Sequence, residues 1–90
     1  MTFEKKDMTF DEYINKIKVY LNNKPKTWEE CSDVYLALEC NAPELDYEKN
    51  KAKVHFLSKV NDICEMVEPF SMCEKEDKLL LELMKKYGYM

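Results

Sequence analysis

The sequence predicts an all-α fold: a single small domain of about four helices, arranged as an antiparallel bundle or a compact orthogonal array. Three observations carry this expectation. Capping boxes of the form Ser/Thr-x-x-Glu occur at Thr9–Glu12, Thr27–Glu30 and Ser71–Glu74 and mark three helix N-termini. Apolar residues behind each box recur at spacings of three and four, the period of one helix face. No segment alternates apolar and polar residues between turn signals as a strand does. The single glycine, Gly88, leaves almost no room for glycine hairpins or Gly-rich phosphate loops.

The first helix is expected over 9–22. Thr9 is its N-cap, Met8 and Tyr13 are placed to form a hydrophobic staple, and Phe10, Tyr13, Ile14, Ile17, Tyr20 and Leu21 make its apolar stripe. Asn23-Lys24-Pro25 ends it, because the residue before a proline avoids helical angles. The second helix, over 27–40, has Thr27 as N-cap and the stripe Trp28, Cys31, Val34, Tyr35 and Leu38. Asn41 is expected in the left-handed position after the helix, and Pro43 prevents simple continuation. The third is expected to be the longest, from Glu44 or Asp46 to Val67, with Phe56, Leu57, Val60, Ile63, Cys64 and Val67 inward; Glu68-Pro69 closes it. The fourth, over 71–87, presents Leu80, Leu83, Met84 and Tyr87. Lys85 and Lys86 suit the negative end of its dipole, and Gly88 suits a left-handed cap with Tyr89 folding back on Met84. Residues 1–8 are expected to form a flexible tail, and the 90 residues one domain.

Charge narrows the classes of function. The net charge is −4, and all fourteen cations are lysine. Direct nucleic-acid binding requires a cationic stripe that releases counterions from phosphates, and the bidentate fork to guanine or phosphate requires a guanidinium. The chain has no guanidinium, and its net negative charge leaves it poorly placed to supply the stripe. The longest strongly apolar run is Leu79–Leu81, far below the roughly 20 residues of a membrane helix. The expected location is cytoplasmic, with reduced thiols.

No catalytic constellation is visible. One histidine, His55, excludes any mechanism with two imidazoles, and no zinc-type cysteine spacing occurs. Cys31 and Cys40 are nine apart, as are Cys64 and Cys73. Nine helical steps turn through about 900°, which places two thiols on opposite faces. Cys31 and Cys64 lie on apolar stripes and read as small buried hydrophobes. The expectation is a non-enzyme with no cofactor and no metal.

The local charge imbalance is more informative. Residues 27–48 carry Glu29, Glu30, Asp33, Glu39, Glu44, Asp46 and Glu48 and no lysine. Glu29, Glu30 and Asp33 lie off the apolar stripe of the second helix, and Tyr47 sits among the carboxylates that follow it. Such a surface attracts a basic partner, and tyrosine supplies contact area at low entropic cost. The expected partner-binding set is therefore Glu29, Glu30, Asp33, Glu44, Asp46, Tyr47 and Glu48. In size, acidity and lysine-only usage the chain is similar in general character to phage or mobile-element inhibitors of host defence, including anti-CRISPR proteins. That likeness implies action by occupancy on a basic, nucleic-acid-handling protein. The alternatives are a homo-oligomerising structural subunit and a small four-helix immunity-type protein.

Overall fold

A computed structural model describes residues 8–66 and 74–90. Among them are four helices and no strand: α1 (Phe10–Asn22), α2 (Trp28–Cys40), α3 (Lys51–Glu65) and α4 (Glu74–Lys86). The all-α, four-helix expectation is met.

The N-terminus of α1 forms as its capping box dictates. The Glu12 N–H donates to Thr9 Oγ1 at 3.2 Å, and the Thr9 N–H donates back to Glu12 Oε1 at 3.4 Å. Met8 is half-buried against the core, and its N–H donates to the Asn41 carbonyl at 3.2 Å, tying the entrance of α1 to the exit of α2. At α2 the Thr27 hydroxyl accepts from the Glu30 N–H at 3.3 Å, whereas Asn41 past its end has φ −112° and does not take the expected left-handed position; its N–H continues the helical pattern to the Ala37 carbonyl. The third capping box, at Ser71–Glu74, lies largely outside the described residues, as do Val67 and Cys73.

The third helix departs from expectation. It begins at Lys51, and residues 44–50 form an irregular segment with a turn at 47–49. The cause is local competition for backbone groups. Asp46 Oδ1 accepts from the Glu48 N–H at 3.1 Å, while the Asp46 carbonyl accepts from the Asn50 N–H at 2.9 Å and from Asn50 Nδ2 at 3.2 Å. Asp and Asn side chains that bond nearby backbone favour turns over helix in this way. A second correction concerns Trp28, expected on the core stripe. It is 38% exposed at the first position of α2.

The core joins all four helices through Tyr13, Ile17, Tyr35, Leu38, Phe56, Val60, Leu80 and Met84, each almost fully buried. α3 packs against both α2 and α4. Phe56 on α3 meets Phe10 of α1 edge-on at 6.0 Å, and Tyr87 and Tyr89 at 5.4 and 5.0 Å. The end of α4 makes this possible. Gly88 takes φ 77°, the Tyr89 N–H donates to the Met84 carbonyl at 2.9 Å, and the Gly88 N–H donates to the Lys85 carbonyl at 3.1 Å. This is a Schellman cap, and it turns Tyr89 back over the core.

Candidate functional site

Two features stand out: the acidic surface of α2 with its following loop, and a buried polar cluster at the opposite end of the chemistry scale.

On α2, Cys31, Tyr35 and Leu38 point inward. At 100° per residue the opposite stripe is Glu29, Asp33, Leu36 and Cys40, all exposed, with Glu30 beside it and also exposed. Leu36 is 54% exposed in the middle of this stripe. Past the helix, Glu44, Asp46, Tyr47 and Glu48 are exposed on the loop. Tyr47 is 51% exposed, and its ring meets that of exposed His55 edge-on at 5.8 Å.

The seven sequence-predicted residues do not gather into one cluster. Glu29, Glu30 and Asp33 open α2, whereas Glu44, Asp46, Tyr47 and Glu48 follow its end, so about 15 Å of helix axis separates the groups. Leu36 and Cys40 bridge them on the outward stripe. Among the described residues the single ion pair joins Lys24 and Asp77. None of the six surface carboxylates is paired with a lysine there.

The buried cluster is built across the fold. Asp77, in the first turn of α4, is 4% exposed. Its Oδ1 accepts from the Tyr20 hydroxyl at 2.5 Å and from the Tyr35 hydroxyl at 2.8 Å. The Tyr20 oxygen lies 2.6 Å from Cys31 Sγ. A phenol has one proton, and that of Tyr20 is committed to Asp77, so the Cys31 thiol is the donor in this contact. The Tyr20 and Tyr35 rings meet edge-on at 5.7 Å. Lys24 Nζ stands 3.6 Å from Asp77 Oδ2. Burial first, and then the bond to Asp77, push both tyrosine hydroxyls far above their ordinary titration range. The cluster therefore holds its protons and acts as a lock between α1, α2 and α4.

Asp77 and Glu76, both buried, escaped sequence reasoning. Acids in a first helical turn read as dipole partners, and the bonds to Tyr20 and Tyr35 span 57 and 42 positions. The signal available was the inward register of Asp77, one turn before Leu80 and two before Met84.

Among the described residues no group of three or more His, Cys, Asp or Glu side chains is placed to hold a metal ion, and no helix is long and apolar enough to cross a membrane. Comparison of the chain with protein-family models, with curated proteins and with solved structures gives no match.

Proposed function

We propose that this chain is a non-enzymatic binding module that acts by occupancy, docking its acidic α2 face and the 44–48 loop onto a basic surface of a protein partner such as a nucleic-acid-handling enzyme. One observation carries the reading. Glu29, Glu30, Asp33, Glu44, Asp46 and Glu48 are exposed and, among the described residues, unpaired by the chain's own lysines. Carboxylates left in this state project a negative potential that steers a cationic surface and accelerates encounter. Leu36 adds an apolar contact within the stripe, and Tyr47 a ring beside the loop carboxylates. Covering the partner's cationic groove excludes its nucleic acid, an inhibitory mode that the chain's size and composition also suit.

The test is affinity capture from the source cell at low and high salt, with the natural chain and with Glu29→Lys, Glu30→Lys and Asp33→Lys combined. The expected result is a basic, nucleic-acid-binding protein retained at low salt and released both by salt and by the reversal. Retention indifferent to the three substitutions refutes the reading. Recovery of the chain alone, as a larger species in sedimentation, favours self-association.

A further inference from the structure

We propose that a cavity of about 220 Å³ between the α1–α2 link and the first turn of α4 binds a guanidinium group, the arginine side chain of a basic protein. The proposal rests on the docking reading above and names its anchor. The cavity is lined in part by Tyr20, Lys24, Pro25, Cys31, Glu74 and Asp77. Trp28 lines it as well, immediately before Glu29 and Glu30 in the chain, so one wall of the cavity belongs to the start of the helix that carries the acidic face.

Asp77 supplies the chemistry. Both tyrosine hydroxyls bond its Oδ1. Its Oδ2 meets, among the described residues, a lysine ammonium at 3.6 Å on a side chain 53% exposed. That separation exceeds a hydrogen bond, whereas a charge-assisted donor to a carboxylate settles at roughly 2.7–2.9 Å. Glu74 precedes Asp77 by three positions, so the two carboxylates are neighbours on one side of α4 and both line the cavity. Two adjacent carboxylates match a planar fork of five donors, which a point-charge ammonium does not reproduce. The chain has no arginine, so from within only lysine reaches this place. An entering guanidinium takes Oδ2 and Glu74 and returns the Lys24 ammonium to water, where its side chain already half lies.

Trp28 is the only tryptophan in the chain, so its emission reads occupancy of the cavity. The probe is a capped Gly-Arg-Gly peptide added to the full chain, with its lysine and citrulline counterparts in parallel. The expected result is a saturable emission change with the arginine peptide, a weaker one with lysine and none with citrulline. Lys24→Ala, at a solvated side chain, removes the internal competitor and tightens arginine binding roughly two- to fivefold. Glu74→Gln, at an exposed position, weakens it. Equal responses to all three peptides, or arginine titrations unchanged in both variants, overturn the proposal. If the peptide fails to bind while partner capture stays sensitive to salt and charge reversal, the anchor falls and the docking face stands. If the peptide binds as described while capture ignores the reversal, the docking face falls and the guanidinium site stands.

Discussion

At the scale of single residues, the three cysteines among the described residues illustrate how burial decides chemistry. Cys64 sits inside the α3 stripe, and burial, with a contribution from the nearby Glu39 carboxylate, pushes its thiol up to about 12 from an ordinary 9.0. A thiol so raised holds almost no thiolate near neutrality, and thiolate is the reactive form. Cys31 is buried with its proton directed at the Tyr20 oxygen. Cys40 is exposed on the outward stripe of α2. Iodoacetamide at pH 8 should therefore modify Cys40 well before Cys31 or Cys64 in the folded chain, and all three alike in denaturant. Peptide mapping by mass spectrometry reads this directly; early labelling of Cys64 would contradict its placement in the core. These assignments were legible in the sequence, since Cys31 and Cys64 fall on three-four stripes and Cys40 falls half a turn out of phase. The bonds that Asp77 makes were not. A carboxylate three residues into a helix fits solvent and core equally well until the distant Tyr20 and Tyr35 are brought to it.

At the scale of elements, three helix ends were legible in the sequence because one local device governs each. The Thr9 box, the Thr27 cap and the Gly88 terminus are each decided by residues within five positions. The start of α3 was not, because no helix-type cap competes there: Asn50 makes no side-chain cap bond, and Asp46 draws the preceding backbone into a turn. That shift moves Glu44, Asp46, Tyr47 and Glu48 from a helical face to a loop. The α2 part of the candidate surface kept its predicted exposure, because amphipathic phase alone sets it. Gly88 offers a clean measurement of terminal geometry. Its φ is 77°, and a Cβ added there meets no atom within 4 Å. Gly88→Ala therefore introduces backbone strain without a clash and should lower stability by about 1 kcal/mol. Thermal denaturation followed by circular dichroism checks the figure, and Gly88→Asn should lose less, since asparagine tolerates left-handed angles better. Full retention of stability in Gly88→Ala would mean that the cap is dispensable and that Tyr89 reaches Phe56 without it.

At the scale of the molecule, buried hydroxyls, those of Tyr20 and Tyr35 in the helix lock among them, make folding stability depend on alkaline pH. Tyr13 and Tyr20 on α1 and Tyr35 on α2 are all buried, and burial raises each above its ordinary value of 10.0. Cys64 on α3 is raised from 9.0 to about 12. A group whose folded-state value is raised keeps its proton in the native chain after the unfolded chain has released it. The stabilisation it carries is complete below the unfolded value and declines as pH rises beyond it. Decline should begin near pH 9, as the unfolded chain loses the Cys64 proton, and steepen near pH 10, as it loses the three phenolic protons. Three such tyrosines give a limiting slope of about −4 kcal/mol per pH unit above that point. A 90-residue domain is stable by roughly 5–13 kcal/mol, so unfolding should follow within a few pH units of 10. Urea midpoints from pH 8 to 11, followed by circular dichroism, should be flat at first and then fall with increasing steepness. Tyr35→Phe separates the two contributions of this side chain. It leaves Asp77 short of one donor and lowers stability at pH 8 by about 1–3 kcal/mol. It also removes one proton from the alkaline linkage, so the upper limb of its profile should be shallower by about a third of the tyrosine slope. A natural chain whose midpoint stays level to pH 11, or a variant whose limb runs parallel to it, would show that these hydroxyls do not carry the lock.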